Sequence, residues 1–291
     1  MIVTRFAPSP TGYLHLGHAY AAIRACDAGE RFLLRVEDID YARCRPEYEK
    51  AIYEDLEWLG LYWEKPVLRQ SERADAYRDA LERLDRGGLI YPCFCTRKEI
   101  ADEISRAVSA PHGAEGPLYP GTCRNLTDEV RRDKIASGAL YALRLDAANA
   151  AKKAGPLTFF ERGEGPNGEH GTITVDPVSL GDVVLARKEM PAAYHLAVVA
   201  DDAFQDVTLV TRGNDLFPAT HVQRLLQAFL DLPAPTYAHH KLILDAQGKK
   251  FSKRDLAVTL RELRARGFTP ESVREKLKLD PRKQITSLPV Q

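Results

Sequence analysis

The segment PSPTGYLHLGH at residues 8–18 decides the fold that we predict for this 291-residue chain. A short run of β-forming residues at 2–6 precedes it, and its prolines and glycine end that strand. A helix is predicted over 15–28, stopped by the glycine that follows. Arg31–Val36 reads as the next strand, so the segment opens a β-α-β unit, which predicts a parallel sheet.

Periodic patterns predict further helices and strands along the rest of the chain. The helices are predicted at 46–59, 72–86, 220–230, 256–266 and 270–278. Sheet-like sequence resumes at 183–185, 196–199 and 207–210. We therefore predict the α/β class, with a Rossmann-like doubly wound parallel sheet and a short C-terminal helical segment.

Residues 93–166 have scattered glycine and proline and only short periodic stretches, so we interpret them as an insertion that packs beside the sheet. This interpretation divides the chain into four parts. They are the first Rossmann-like half at 1–92, the insertion at 93–166, the second half at 167–240, and a basic loop with C-terminal helices at 241–291.

The composition is that of a soluble globular protein, with 44% hydrophobic and 28% charged residues. No stretch approaches the roughly 20 apolar residues that a membrane helix needs. The N-terminus lacks the basic and apolar regions of a signal peptide. We therefore expect a cytoplasmic protein that has no membrane partner.

The formal net charge is +0, but the charge is uneven along the chain. Residues 241–291 contain 13 Lys and Arg against 6 Asp and Glu, so this end carries +7 and the remainder −7. A basic end on an acidic body suits a polyanion that docks at one place. The alternative is a solvated, arginine-rich helical end.

The turn at 8–18 has the features of an anion site. Free N–H groups and the positive end of the helix dipole point at a ligand bound there. Gly17 lets the backbone approach a base or ribose closely, and His15 and His18 can donate hydrogen bonds to phosphate oxygens. The alternative is that both histidines only cap and pack the start of the helix.

A second motif, KKFSKR at 249–254, crowds four basic residues beside Ser252, with Gly248 as a possible hinge. Such a loop can close over a triphosphate and neutralise the charge that is transferred. The alternative is an ordinary solvated basic loop. The two motifs together, in this order, indicate an enzyme that activates a carboxylic acid with ATP.

Several segments carry a family resemblance. They are RFAPSPTG at 5–12, HLGH at 15–18, LRVEDID at 34–40, YHLAVVADD at 194–202, VTRGNDL at 210–216 and KFSKR at 250–254. They resemble the catalytic domain of glutamyl-tRNA synthetases, with Phe251 where the second class I signature usually has methionine. The resemblance covers essentially the whole chain.

The resemblance implies that ATP and L-glutamate are substrates, and ATP implies Mg²⁺, for which we assign no protein ligands. The implied glutamate-binding residues are Arg5, Ser9, Glu37, Tyr194 and Arg212. The implied ATP-binding residues are His15, Gly17, His18, Lys250, Ser252 and Lys253. Of these, His15, His18 and Lys253 are the predicted catalytic residues, and Lys253 is the first choice for the pyrophosphate contact.

The residue types fit this pocket. Two guanidiniums favour an acid over its amide, because an amide cannot offer two anionic oxygens. Glu37 supplies a negative group for the α-ammonium. The alternatives for EDID at 37–40 are solvated carboxylates at a strand end or a metal cluster. We interpret the pairs Asp201-Asp202 and His239-His240 as structural.

Only 37 residues follow Arg254, whereas discriminating glutamyl-tRNA synthetases continue with a large helical anticodon-binding region. The expected subfamily is therefore the truncated one, the glutamyl-Q tRNA(Asp) synthetases. That resemblance implies tRNA-independent activation of glutamate, followed by transfer to the queuosine of tRNA(Asp), and we expect a monomer. Three alternatives stay open, namely a glutamyl-tRNA synthetase fragment that charges tRNA(Glu), a nucleotidyltransferase, and a non-catalytic paralogue.

Cys93, Cys95 and Cys123 predict a structural zinc site in the insertion, since three thiolates leave one position of a tetrahedron. His112 is the conventional fourth ligand, whereas the family pattern places Tyr119 there. We predict Tyr119 and keep His112 as the alternative, beside a cluster of three reduced, unliganded cysteines. The chain has five cysteines, a poor disulfide framework, and Cys26 and Cys44 read as ordinary small residues.

Overall fold

The computed structural model describes residues 1–106, 112–113, 116–176, 178–242 and 258–280. Its strands are β1 (Val3–Phe6), β2 (Arg31–Val36), β3 (Glu64–Arg69), β4 (Ile90–Cys93), β5 (His112–Gly113), β6 (Gly116–Pro117), β7 (Ala142–Leu145), β8 (Thr158–Glu161), β9 (Gly171–Thr174), β10 (Val184–Arg187), β11 (Leu209–Gly213) and β12 (Thr236–His240). Its α-helices are α1 (Leu16–Ala28), α2 (Pro46–Trp58), α3 (Ala74–Arg86), α4 (Arg97–Arg106), α5 (Asp128–Ala136), α6 (Ala147–Ala154), α7 (Tyr194–Phe204), α8 (Phe217–Phe229), α9 (Leu260–Ala265) and α10 (Pro270–Lys276).

Parallel strands form the centre of the fold. β1 pairs in parallel with β2, and β3 continues in parallel on the far side of β2. β11, β12 and β8 are parallel to one another as well, and β9 adds an antiparallel edge. The predicted α/β fold with a parallel sheet is therefore confirmed.

The two groups of parallel strands meet at β1 and β11. Thr208 N donates to Val3 O over 3.0 Å, and further along Arg5 Nη1 donates to Thr211 O over 3.4 Å. Residue numbers increase together along the two contacts, so β1 and β11 run parallel. From β1, the following strands of the chain lie on one side as β2 and β3, and the later ones lie on the other side as β11 and β12, so the strand order reverses at this point. In open α/β sheets, a ligand crevice forms at such a point, outside the carboxyl ends of the strands.

A separate antiparallel sheet has the order β10-β7-β4. β4 leads into the cysteine-rich segment, and β10 returns the chain to the parallel sheet by way of α7. This sheet does not follow the predicted limits of the insertion at 93 and 166, because β7 lies between them, β4 ends at the first and β10 follows the second. The division into four parts stays a prediction.

Most predicted elements lie within a few residues of the observed ones, and β2 matches Arg31–Val36 at both ends. The strand predicted at 196–199 is wrong, because these residues belong to α7. Leu196, Ala197, Val198 and Val199 are all buried, so the helix is apolar on more than one face. A short apolar run of this kind does not distinguish a buried strand from a buried helix.

The two C-terminal helices pack against the start of the chain. Leu260 and Val273 share a core with Leu14 and Ile23 of the N-terminal unit, by which we mean β1, α1 and β2 with the turns between them. Leu260 N also donates to Leu14 O over 2.8 Å, and His15 forms an isolated β-bridge with Thr259. The residues that follow the basic loop are therefore fixed beside the turn at 8–18.

No helix in the described part of the chain combines the length and the apolar character that crossing a bilayer requires.

Asp55 is a buried charge between α2 and α9. Its side chain is 1% exposed, and neither carboxylate oxygen has a hydrogen-bond partner among the described residues. Among the described residues, the nearest cationic group is that of Arg264, whose Nη2 lies 4.0 Å from Asp55 Oδ1. Burial raises the pKa of Asp55 from 3.8 to about 6. The folded state therefore binds this proton more tightly, and the group destabilises the protein increasingly as pH rises from about 4 through 6.

We expect Asp55→Asn to raise the free energy of unfolding, with a gain about 1–2 kcal/mol larger at pH 7.5 than at pH 4.5. The neutral amide removes a cost that in the wild type grows between the unfolded-state pKa of 3.8 and the raised pKa of about 6 and is complete above it. Urea unfolding of both proteins at the two pH values measures the difference. An equal gain at both pH values would contradict this account.

Candidate active site

The turn at 8–18 places two histidines at the start of α1. His15 is the N-cap residue, and its Nδ1 accepts a hydrogen bond from Gly17 N at 3.1 Å. His15 N in turn donates to His18 Nδ1 over 3.2 Å, and the centroids of the two imidazole rings lie 3.9 Å apart. The histidines therefore cap the helix, as the alternative interpretation expected, and they also stand beside the helix N-terminus, where an anion would bind.

The predicted ATP residues Lys250, Ser252 and Lys253 lie outside the described residues. The described residues on either side of them both lie against the N-terminal unit. His240 packs edge-on against Tyr20 of α1, with ring centroids 4.8 Å apart, and Thr259 bridges to His15.

Two buried arginines share one carboxylate at the carboxyl ends of β1 and β2. Arg5 makes a bidentate pair with Asp202 of α7, with Nε 2.9 Å from Oδ1 and Nη2 3.3 Å from Oδ2. Arg35 Nη1 lies 2.8 Å from the same Oδ1. Arg5 and Arg35 hold the pKa of Asp202 below its ordinary value in spite of burial. Asp202 is therefore the counter-ion that permits both guanidiniums to be buried.

Glu37 lies next to this charged cluster. Its Oε1 is 3.5 Å from Arg35 Nη2, and its backbone N donates to Pro8 O over 3.0 Å, which places Ser9 beside it. Burial raises the pKa of Glu37, although Arg35 and Arg5 act in the opposite direction. An added cation, such as an ammonium group, would favour the ionised form of this carboxyl group.

Arg212 at the end of β11 is held by several acceptors. Nη1 donates to Tyr194 Oη over 3.1 Å and to Gln223 Oε1 over 2.9 Å, and Nη2 donates to Thr220 Oγ1 over 2.6 Å. Nε donates to His239 Nε2 over 3.0 Å. The structure thus brings Arg212 and Tyr194 into direct contact.

Two side chains near Arg212 have a buried polar atom without a hydrogen-bond partner among the described residues. The two atoms are Gln223 Nε2 and His195 Nδ1. Burial and the charge of Arg212 lower the pKa of His195 to about 4, so this imidazole is neutral near pH 7. Because buried polar groups normally have hydrogen-bond partners, these atoms are available to a polar ligand.

The four predicted metal ligands converge at the end of β4. The sulfur atoms of Cys93, Cys95 and Cys123 all lie within 4.8 Å of one another. Tyr119 Oη lies 3.3 Å from Cys93 Sγ and 3.6 Å from Cys95 Sγ, and it accepts from Cys123 N at 3.0 Å. The side chain of His112, the alternative fourth ligand, lies outside the described part of the chain.

The other carboxylates of the EDID segment are engaged by the protein. Asp38 accepts hydrogen bonds from the backbone N and the hydroxyl group of Ser71, at 2.8 and 2.7 Å. Asp40 pairs with Arg43 at 2.5 Å. Asp38 is therefore neither solvated nor, among the described residues, part of a group of metal-binding side chains.

Sequence reasoning missed Arg35 and interpreted Asp202 and His239 only as structural. A usable signal was present for the first two. Each is a charged residue inside an apolar segment, RFLLRV and YHLAVVADDAF, and a charge buried in such a segment requires a partner. His239 gave no comparable signal, since its strand, TYAHH, has the composition of an ordinary half-buried strand.

Comparison with known proteins places this chain in a family. Residues 1–280 match the family model described as tRNA synthetases class I (E and Q), catalytic domain. The chain is 50% identical to the glutamyl-Q tRNA(Asp) synthetase of Rhodobacter capsulatus, over 94% of this chain and 98% of the relative. It is 43% identical to the protein of that name from Symbiobacterium thermophilum, over 94% of this chain and 84% of the relative.

A solved structure shares the fold. The glutamate tRNA ligase of Elizabethkingia meningosepticum, solved in complex with its amino acid, superposes with a TM-score of 0.73 at 28% identity. The match covers 93% of this chain and 59% of that chain, so the present chain corresponds to little more than half of the ligase.

We expect Asp202→Ala to lower the free energy of unfolding by about 3–5 kcal/mol, because it leaves Arg5 and Arg35 buried without their shared counter-ion. Asp75→Ala is the matched control, since it removes an exposed partner of Arg78 on α3 and should cost no more than about 1 kcal/mol. Urea unfolding of the three proteins measures both values. Similar losses in the two variants would show that Asp202 is not the essential counter-ion.

Proposed function

Since the chain belongs to the family of class I tRNA synthetase (E and Q) catalytic domains, we propose that it activates L-glutamate with ATP, without requiring tRNA, and transfers the glutamyl group to the queuosine of tRNA(Asp). It is a class I aminoacyl-tRNA synthetase-like ligase. The observation that carries the choice of amino acid is the pair of buried guanidiniums, Arg5 and Arg212, at the carboxyl ends of adjacent strands.

Glutamate recognition follows from the charges around these strand ends. Arg212 has two hydrogens on Nη2, and Thr220 is the one acceptor for them among the described residues, which leaves an N–H for a substrate carboxylate. Glu37 would receive the α-ammonium, whose charge offsets the burial that raises its pKa. Ser9 and Tyr194 add hydroxyl groups, and Tyr194 is already oriented by Arg212. The amide of glutamine carries no negative charge and presents a single carbonyl oxygen, so a pocket with two guanidiniums favours the carboxylate of glutamate.

ATP would lie across the start of α1. Gly17 permits close approach of the nucleotide, and His15 and His18 face the place where phosphate charge develops. Lys250, Ser252 and Lys253 would grip the polyphosphate from the basic loop, whose described flanks both lie against the N-terminal unit. Mg²⁺, when bound with ATP, would neutralise phosphate charge.

The chemistry needs no protein nucleophile, because the α-carboxylate of glutamate, the group that attacks ATP, is already ionised. A carboxylate oxygen of glutamate attacks the α-phosphorus in line, the new O–P bond forms, and the bond to pyrophosphate breaks. Arg5 and Arg212 hold the glutamate, and His15, His18 and Lys253 stabilise the charge on the phosphates. The second step joins the activated carbonyl carbon to the acceptor and releases AMP.

The acceptor is the finer part of the proposal. It rests on relatives that carry the name glutamyl-Q tRNA(Asp) synthetase and match this chain over most of both lengths. The basic charge of residues 241–291 is consistent with a polyanionic partner. The competing acceptor is the 3′ end of tRNA(Glu), which the resemblance to a glutamate tRNA ligase keeps open.

We expect the purified protein to catalyse glutamate-dependent exchange between ATP and pyrophosphate in the absence of tRNA. His18→Ala should lower this exchange about 100-fold, because it removes a hydrogen-bond donor to the developing charge. His170→Ala, at an exposed histidine away from the turn, is the control and should retain wild-type exchange.

The acceptor is tested with three labelled-glutamate assays, on queuosine-bearing tRNA(Asp), on tRNA(Asp) without queuosine, and on tRNA(Glu). Transfer to the first alone is expected. Labelling of tRNA(Glu) alone would replace the proposed acceptor, and exchange driven by another acid but not by glutamate would support a nucleotidyltransferase instead.

The cysteine cluster fits a zinc ion. Three soft thiol sulfurs and one harder phenol oxygen converge there, and four close donors match the tetrahedral number that structural Zn²⁺ uses. Cys93, Cys95, Tyr119 and Cys123 would hold the ion. When bound, it would tie the end of β4 to the 119–123 turn and so fix the insertion.

We expect about one zinc per chain by elemental analysis, and Cys95→Ser should reduce it strongly and lower the melting temperature. Cys44→Ser, outside the cluster, should leave both values unchanged. Loss of zinc in Tyr119→Phe but not in His112→Ala would identify the fourth ligand, and the reverse result would select His112. A wild-type protein purified without chelators that contains no zinc would contradict the site.

A further inference from the structure

A buried histidine and a buried glutamate stand behind Arg212, on the side away from Tyr194 and Gln223. The side chains of His239 on β12 and Glu161 on β8 are both 0% exposed. His239 Nδ1 lies 2.5 Å from Glu161 Oε2, and His239 Nε2 lies 3.0 Å from Arg212 Nε. Three side chains from three strands therefore form one continuous chain of hydrogen bonds.

The donor and acceptor roles in this chain are fixed by Arg212. A guanidinium has only donors, so His239 Nε2 must accept through its lone pair. The imidazole proton is then on Nδ1, where it donates to the carboxylate of Glu161. Burial and the charge of Arg212 lower the pKa of His239, and hydrogen bonds to His239 help to lower that of Glu161, which agrees with a neutral ring beside an ionised carboxylate.

Glu161 is itself fixed by the backbone. Its Oε1 accepts from His239 N at 2.8 Å and from Gly163 N at 2.7 Å. Gly163 permits this approach, because a Cβ at this position would lie 2.1 Å from His239 O. Three hydrogen bonds thus hold this carboxylate against the imidazole, so the orientation of His239 does not depend on a bound ligand.

We propose that Glu161 and His239 are positioning residues. They hold Arg212 in the orientation that binds the side-chain carboxylate of glutamate, an inference that rests on the proposed function. Nη1 and Nη2 are held by Tyr194, Gln223 and Thr220, and the contact from His239 to Nε fixes the remaining edge of the guanidinium plane. A prearranged guanidinium gains affinity because less side-chain freedom is lost when the substrate binds.

Two substitutions of His239 separate the two contacts of the ring. In His239→Gln, the amide oxygen can occupy the position of Nε2 and accept from Arg212 Nε. In His239→Asn, the shorter amide can still donate to Glu161 but does not reach Arg212. We expect the KM for glutamate to rise about tenfold in His239→Asn, which corresponds to about 1.4 kcal/mol, and to stay within about threefold in His239→Gln. The KM for ATP should change less than about twofold in both variants.

His221→Asn is the matched control. His221 packs against Phe217, as His239 does. Its Nδ1, however, accepts from Asp176 N, and no hydrogen bond joins it to Arg212 in the described part of the chain. Its substitution should leave the KM for glutamate unchanged. A purely structural role for His239 would lower the melting temperature without separating the KM for glutamate from that for ATP.

The tautomer supplies a readout that does not depend on turnover. ¹⁵N NMR of labelled protein should show His239 neutral at pH 7.5, with the proton on Nδ1. In Glu161→Gln, the amide nitrogen can donate to Nδ1, so the proton should move to Nε2 and the KM for glutamate should rise.

The outcomes are distinct. A wild-type KM for glutamate in folded His239→Asn, or an equal rise in His239→Gln, would overturn the positioning role. A wild-type ring protonated on Nε2, or on both nitrogens, would overturn it even if no variant folds. Absence of glutamate-dependent exchange in the wild type would instead reject the proposed function, and the tautomer would still decide whether the hydrogen-bonded chain exists.

Discussion

Buried guanidinium charge is the constraint that the rest of this structure satisfies. Arg5, Arg35 and Arg212 all lie inside the protein, and a guanidinium cannot lose its proton to relieve the cost of burial. Each therefore needs acceptors, although Nε and Nη2 of Arg35 have no hydrogen-bond partner among the described residues. Asp202 serves the first two, and a set of neutral oxygen and nitrogen acceptors serves the third. The reversal of strand order between β1 and β11 brings these groups to one edge of the sheet.

The two kinds of partner leave the arginines in different electrostatic states. Asp202 neutralises much of the charge of Arg5 and Arg35, whereas the acceptors of Arg212 are mainly neutral, and the carboxylate of Glu161 is separated from it by the imidazole ring. Arg212 therefore retains more attraction for an anion. Of the two guanidiniums proposed to hold glutamate, we therefore expect Arg212 to contribute more to the binding of its side-chain carboxylate than Arg5.

The sequence was sufficient for the local structure and insufficient for the long-range contacts. The β-α-β unit could be predicted closely, since proline, glycine and the apolar periods mark its limits, and β2 coincides with Arg31–Val36. The strand predicted at 196–199 failed because α7 is buried on more than one face. The glutamate-binding roles that we propose for Arg5 and Arg212 were accessible through the family resemblance. The roles of Asp202, Glu161 and His239 were not, because each depends on a partner brought close by the fold from a distant part of the chain.

The pairing of Arg5 with Asp202 joins residues that are 197 positions apart, and that of Arg35 with Asp202 spans 167 positions. The β1-α1-β2 unit is therefore made long before its counter-ion during synthesis on a ribosome. Until α7 follows, Arg5 and Arg35 lack Asp202, and only Glu37, 3.5 Å from Arg35, offers a carboxylate from the early unit itself. We therefore expect the carboxyl edge of this unit to stay open to water. Contacts of such high sequence separation slow folding. The same charges that prepare the site thus delay the closure of the core until most of the chain has emerged.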